Sequence, residues 1–544
     1  MLKKHTEINP SLKSALASGT LYHTHTTKTL IVFVPGWMNS AQKYSPLLDA
    51  LLSDSSPENI LNGADLLPFK YDNSISSQAD PEKVSADLAL FIDETMKKNS
   101  YSTIYIIGHS VGALLARKAV LVAKEKKYTW YQALDRLILL AGTNRGFVPN
   151  TKILKISALV INLLNLPVAR FIMSMQLGST WVTSLRIQWM KTYDYGRNPG
   201  PKVVQLYGED DSIISEDDAI DVHRFDISII EKIRGADHNS FANMTEGPEF
   251  NRIIHAFSRD DFQHNHGKFL KDRDTLIFLI HGIRDFAEWH HALEYEIEKL
   301  DRKIDVIPVQ YGYFNLMQFL LPHQQKRALR VFVDRYVQEL SLSPHADISI
   351  AAHSNGTLVF QQAIENYPFI NVNKAFFAGS VVDQRISWDK SPYTGKINTL
   401  LNVCANNDVP VGFLCKALHF IPFLNLGTAG HTGFTTANGL PIVQNCFIKG
   451  GHGAALRSEN RHKVVDFLLD SHENPTSNGC HQEQIKPHPL VSLISSQAPI
   501  FLIAAFALLI GGYIFITDVS DSTSTGVIGS GIYTMFLLWL LQKI

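Results

Sequence analysis

The sequence predicts an α/β protein: two tandem domains, each a mostly parallel sheet with helices on both faces, followed by a two-helix transmembrane hairpin. Three observations carry this reading. From Thr29 onward, short runs that are almost wholly apolar alternate with helical segments, the pattern of strands buried on both faces. The same order of segments starts again at Asp274. Two long uncharged apolar stretches then stand near the C-terminus, Pro499 to Ile516 and Thr525 to Leu541, each about long enough to cross a bilayer core.

Composition fits that plan and narrows the partners. A chain of 544 residues, 45% hydrophobic and 19% charged, exceeds what one core holds. The formal net charge of -1 leaves no basic field for phosphates, so nucleic acid is not an expected partner. Cys404, Cys415, Cys446 and Cys480 form no CxxC pair, which argues against a zinc site or a disulfide-stapled scaffold and predicts reduced thiols in a cytosolic compartment.

Residues 1–24 read as an N-terminal extension with no apolar run suited to a signal peptide. The first domain, 25–262, runs TLIVFVPG, a helix over Val84 to Lys98, STIYIIGHS, a helix from Gly112, then ALDRLILLAG. Between 151 and 195 it carries an insertion with ILKISALVINLLNLPVARFIM, either a helical cap packed on the sheet or a lid that dips toward a bilayer and admits acyl chains. The second domain, 270–472, runs TLIFLIHG, a helix over Ala287 to Leu300, IDVIPVQYG, a helix over Gln325 to Leu340, ADISIAAHS, a helix, and NKAFFAGSV. A polar linker, 473–497, leads to the two spans in 498–544. Lys486 and Lys543 lie outside the spans and the acidic TDVSDSTS between them, which predicts a multi-pass protein with both α/β domains facing the cytoplasm. Gly511, Gly512 and Gly529 give the hairpin small residues for homo-oligomeric packing.

The chemistry begins at GHSVG, Gly108 to Gly112, placed between a strand and a helix. A serine hydroxyl is a weak nucleophile; a sharp strand-to-helix turn exposes it, and flanking glycines clear the approach. Ser110 is therefore the first candidate nucleophile. A base must take its proton and a carboxylate must hold that base in the right tautomer, in the chain order serine, acid, histidine. KVVQLYGEDDSIIS offers Asp210 and Asp211 at a strand end, and IRGADHNSF offers His238. The second domain supplies Ser354 in AAHSNG, Asp408 in NVCANNDVPV with Asp383 as a competing acid, and His452 in KGGHGAAL. Gly36 to Ser110 and Gly282 to Ser354 are nearly equal intervals. Ala352 replaces the first elbow glycine in the second domain. The oxyanion of a tetrahedral intermediate needs two backbone donors: Val111 and Asn355 directly follow the serines, and Trp37 and Ile283 directly follow Gly36 and Gly282. HTH at His23 to His25, HNH at His264 to His266 and the pair His290, His291 lack acidic or Cys companions in a fixed frame, so they read as solvated surface rather than metal ligands. No metal or organic cofactor is expected.

With these motifs in view, both halves resemble the α/β-hydrolase superfamily over roughly Thr29 to Leu469. FVPGW, GHSVGALLAR and LLAGTNRG resemble the lipase and esterase branch that includes deacylases of lipid-anchored proteins; FLIHGIRD, VQYGYF, AAHSNGT, FAGSVV and GTAGHTGF resemble a bacterial group of hydrolase domains. The resemblance of GEDDSII to a hydrolase strand end favours Asp211, three residues after the glycine, over Asp210. Pro35 stands where these enzymes often have histidine. The resemblance implies a serine esterase or lipase acting on acyl esters, with lipids as the expected substrates. Two rival readings stand beside it: a membrane-tethered binding or scaffold protein whose hydrolase domains have lost chemistry, and a membrane-permeabilising effector in which those domains act as sensors.

Overall fold

The computed structural model describes residues 8–147, 170–193, 198, 200–212, 227–264, 271–283, 288–300, 303–312, 322–419, 421, 424–435 and 442–469, with isolated positions between 497 and 535. The chain divides into two compact units, Met1–Leu270 and Lys271–Ile544.

In the first unit, β1 (Thr29–Val34), β2 (Asp65–Pro68), β3 (Thr103–His109), β4 (Leu134–Leu140), β5 (Lys202–Gly208), β6 (Ile227–Ile233) and β7 (Gln263–His264) form one sheet in the order β2-β1-β3-β4-β5-β6-β7. The first six strands in that order are parallel, and β7 pairs antiparallel with β6. Successive strand residues point to opposite faces, and each face has its own cover. Leu30, Val32, Ile104, Ile106, Leu137 and Leu139 pack under α3 (Pro81–Lys98), α4 (Val111–Lys126) and α5 (Thr180–Thr192). Ile31, Phe33, Ile107, Ile138, Leu140 and Val204 pack under α1 (Pro10–Ser18), α2 (Ser45–Ser53) and α6 (Gly247–Ser258). The start of α3 is fixed locally: the Asp80 side chain accepts from the Glu82 amide and Pro81 fills the first turn, while Lys97 and Lys98 sit in the last turn.

The second unit repeats the plan. β8 (Thr275–Ile280), β9 (Ile304–Val309), β10 (Asp347–His353), β11 (Val372–Ala378), β12 (Ile397–Ala405) and β13 (Val443–Ile448) form a wholly parallel sheet in the order β13-β12-β11-β10-β8-β9. Read from its other edge, this is the order of the six parallel strands in the first unit. One face carries Ile277, Leu279, Phe376 and Val403 under α7 (Glu288–Glu298) and α10 (Ser458–Leu469). On the other face, Phe278 meets Phe332 and Tyr336 of α8 (Pro322–Leu342), and Phe377 meets Phe360 of α9 (Asn355–Asn366). Register brings Val34 beside Gly108 in one sheet and Ile280 beside Ala352 in the other, so the loop after the first strand of each unit meets the serine turn.

Some expectations need correction, and others fall outside the described residues. Strand β2 is four residues ending in Pro68, tolerated because β2 is an edge strand, and no periodic run announces it. The described part of the 151–195 insertion is ordinary packing: Val182, Leu185 and Trp189 of α5 join the core, while ILKISALVINLLNLP lies outside the described residues. His290 is buried, with its ring 4.2 Å from that of Trp289, so it belongs to the core rather than the surface; His291 is exposed. His23 is tied by its Nδ1 to Asp65 Oδ2 at 2.8 Å and stacks on His25. Cys404 and Cys415 are free, but Cys446 is disulfide-bonded, against the expectation of reduced thiols, which rested on the lack of a CxxC pair; sequence spacing alone does not decide pairing. Among the described residues no helix is long and apolar enough to cross a membrane. The expected spans in 498–544 lie outside those residues except for isolated helical positions, of which Leu508, Ile514 and Met535 are exposed.

Candidate active site

β3 ends at His109 and α4 starts at Val111, so Ser110 alone makes the turn between them, at φ 54° and ψ −125°. Ser354 does the same between β10 and α9, at φ 52° and ψ −120°. A non-glycine residue in this region is strained and persists only when its surroundings enforce it. The enforcement is visible at the second elbow glycine. A Cβ on Gly112 would lie 2.3 Å from the Val34 carbonyl oxygen, and one on Gly356 would lie 2.3 Å from that of Ile280. The helix is thus seated directly on the end of the neighbouring strand. Ala352, buried on β10, occupies the position that Gly108 holds in the first unit.

Side chains from two other loops line up behind Ser110. His238, in the loop after β6, holds its Nε2 3.0 Å from Ser110 Oγ and its Nδ1 2.9 Å from Asp211 Oδ2. Asp211 follows β5, and the side chains of His238 and Asp211 are 8% and 4% exposed, so bulk water does little to weaken the pair. Asp210 is exposed, and its amide donates to the Ala236 carbonyl at 3.0 Å. The structure therefore joins Asp211, and not Asp210, to His238.

His109 was not singled out by sequence reasoning, although it is the residue before the serine in GHSVG. Its Nδ1 is 2.8 Å from the Tyr44 hydroxyl and its Nε2 3.0 Å from the His238 carbonyl oxygen. The ring is fully buried. Burial, and secondarily the neighbouring His238, hold its pKa well below the ordinary value near 6.5, so it is neutral, with Nε2–H as the donor to that carbonyl and Nδ1 accepting from Tyr44.

In the second unit, Asp408 Oδ1 and Oδ2 lie 3.0 and 2.9 Å from His452 Nδ1, and the Val411 amide donates to Oδ1 at 3.0 Å. Asp383 is engaged instead by Arg385, whose Nη2 donates to it at 2.7 Å. The acid half of the set is closed, but among the described residues no hydrogen bond joins His452 to Ser354. The ring of His353 sits 4.9 Å from that of His452, as His109 does from His238.

The loops after β1 and β8 press on the serines. A Cβ on Gly36 would lie 2.8 Å from Ser110 Cβ, and one on Gly282 would lie 2.6 Å from Ser354 Cβ. Trp37 and Ile283 are the next residues in these loops, and Val111 and Asn355 directly follow the serines. Among the described residues, the amides of these four residues donate to no protein acceptor. Also among those residues, no three His, Cys, Asp or Glu side chains group as metal ligands.

No family model and no curated protein sequence matches the chain. Solved structures similar to parts of it include carboxyl esterase 2 from the fungus Tuber melanosporum, 15% identical over 44% of this chain and 79% of that one, with a TM-score of 0.31. A lipase of Bacillus licheniformis is 16% identical over 43% of this chain and 98% of its own, with a TM-score of 0.30. The phospholipase PlaB of Legionella pneumophila, solved with thio-NAD, is 19% identical over 33% of this chain and only 38% of that one, with a TM-score of 0.24.

Proposed function

We propose that the chain is a serine ester hydrolase that forms an acyl-enzyme on Ser110. The observation that carries the reading is the unbroken hydrogen-bonded line Asp211–His238–Ser110 at the tip of a strained strand-to-helix turn. In the first step Ser110 Oγ attacks the acyl carbon as His238 Nε2 takes the hydroxyl proton, which forms the Oγ–C bond and moves the carbonyl electrons onto oxygen. The Trp37 and Val111 amides donate to that oxyanion, and Asp211 stabilises the imidazolium. As the intermediate collapses, the bond to the leaving oxygen breaks and His238 gives its proton to it, releasing the alcohol. Water then attacks the acyl-serine with His238 again as base, and the acid leaves with Ser110 restored. General base action of this kind contributes about 10² to 10⁴ in rate.

The substrates in this proposal are acyl esters, with lipids preferred. The chain is held at a membrane by the apolar stretches Pro499 to Ile516 and Thr525 to Leu541, with both units on the cytoplasmic side. For the second unit, the unjoined His452 and Ser354 favour a second reading, in which it recognises an acyl group rather than cleaving it.

Labelling with a fluorophosphonate probe, read by peptide mass spectrometry, tests the proposal. Ser110 is expected to be modified faster than Ser354, and Ser110→Ala is expected to remove most hydrolysis of p-nitrophenyl butyrate. Failure of the wild type to label at Ser110 or to hydrolyse the ester sinks the assignment.

A further inference from the structure

The loop that carries the Trp37 amide is tied down on both sides of that residue by a short segment after β2. The Asn73 side-chain amide donates to the Gly36 carbonyl at 2.7 Å and to the Asn39 carbonyl at 2.6 Å, and the Asn73 carbonyl accepts from the Met38 amide at 2.9 Å. One residue earlier in the loop, the Tyr71 hydroxyl donates to the Pro35 carbonyl at 2.8 Å. The Trp37 indole donates to the Ser74 carbonyl at 3.4 Å.

We infer that Asn73 is a positioning residue for the reaction at Ser110: by holding the Gly36 carbonyl it aims the Trp37 N–H at the oxyanion. This rests on the reading of Ser110 as nucleophile. The physical step is the planarity of the peptide unit. Gly36–Trp37 is a trans peptide, so its C=O and N–H point in opposite directions. With the carbonyl captured by Asn73 on one side, the N–H is turned to the other; Ser110 lies against Gly36, where a Cβ would meet the serine Cβ at 2.8 Å. The Asn39 amide reaches the same Gly36 carbonyl at 3.3 Å, a longer bond within the turn, and the shorter Asn73 bonds at 2.7 and 2.6 Å brace that turn from outside it. A donor fixed beforehand costs no reorganisation as charge develops.

The second unit repeats the tyrosine part of this arrangement. Tyr311, shortly after β9, donates its hydroxyl to the His281 carbonyl, and His281 precedes Gly282 as Pro35 precedes Gly36. Each unit thus uses a tyrosine after the neighbouring strand to hold the carbonyl just before the loop glycine. Neither tyrosine carries reacting groups in the proposed chemistry, which leaves orientation of the loop as what these bonds accomplish.

The test uses the full chain with Ser354→Ala as background. Asn73→Asp keeps the side-chain shape but replaces the two N–H donors with an oxygen facing two carbonyls. It is expected to lower kcat on p-nitrophenyl butyrate about 10²-fold, the cost of misplacing an oxyanion donor, with KM within about threefold. The inhibition constant of a trifluoromethyl ketone, whose serine adduct carries the oxyanion, should rise by the same factor as kcat/KM falls. A merely structural role would lower the fraction of titratable Ser110 and leave both constants of the folded fraction alone. Tyr71→Phe, which removes one hydroxyl, is the milder companion should Asn73→Asp fail to fold, with kcat expected about fivefold lower. Wild-type turnover with kcat and ketone affinity unchanged in both variants overturns the inference alone. Absence of any Ser110-dependent turnover in the wild type overturns the hydrolase reading, and this inference with it.

Discussion

Exchanging Asp211 for asparagine removes a charge 2.9 Å from His238 Nδ1 while preserving shape. Two terms follow from the geometry. At a charge separation of about 4 Å and an effective dielectric constant near 20, a carboxylate stabilises the imidazolium formed during attack by about 4 kcal/mol. Asparagine also presents an N–H toward Nδ1, which favours the tautomer whose Nε2 carries a proton and cannot accept one from Ser110. Together these match the loss of about 10⁴ in kcat seen when a triad acid is neutralised, equivalent to about 5 kcal/mol in the barrier. The exposed Asp210 has no bond to His238, so Asp210→Asn is expected to stay within about threefold of wild type. The assay is steady-state hydrolysis of p-nitrophenyl butyrate in a Ser354→Ala background, with thermal melting to confirm that both variants fold. Retention of more than about a tenth of kcat in Asp211→Asn, or equal damage from Asp210→Asn, would refute the reasoning.

Two further outcomes follow from buried titratable groups. His109 is held neutral by burial, with its pKa well below 6.5; the unfolded chain binds that proton first, so the first unit should lose about 1.4 kcal/mol for each pH unit below 6.5 until the depressed value is reached. Hydrogen exchange in β3 and β4 between pH 7.5 and 5.5 should show the loss in the wild type and a shallower dependence in His109→Gln; equal slopes would count against it. The Cys404 and Cys415 thiols are buried and pushed up, first by burial and then by the Asp408 carboxylate, so iodoacetamide at pH 8 should alkylate neither until the chain unfolds. Rapid modification of either in the folded protein would contradict this.

What the sequence made legible was local. Ser110, Asp211 and His238 each sit in a strand-end segment whose pattern extends over a few residues, and the apolar runs marked both sheets because buried parallel strands need almost no polar positions. The choice between Asp383 and Asp408 was open in the sequence. It turns on Arg385, which claims Asp383 from two residues away and leaves Asp408 to His452. What escaped the sequence depends on loops that meet across the fold. Asn73 reaches Gly36, and His109 reaches the His238 carbonyl 129 positions along the chain, and no periodicity records such meetings. His290 was misjudged for the same reason, since its neighbour His291 is exposed and only the packing against Trp289 separates the two.

The backbone at Ser110 and Ser354 has a consequence for how this chain trades reactivity against robustness. Both residues sit at positive φ, 54° and 52°, where glycine rests without the penalty of about 1 to 3 kcal/mol that a side chain incurs. Exchanging either serine for glycine, which would remove the proposed nucleophile, is therefore also expected to relax the turn. Under the proposed chemistry, stability and reactivity pull against each other at a single atom, the Cβ of Ser110, and Ser354 carries the same backbone tension. Each folded unit keeps a tensed joint at the end of a buried strand, held by the carbonyls of Val34 and Ile280 against Gly112 and Gly356, and a chain selected for endurance alone would have let both go slack.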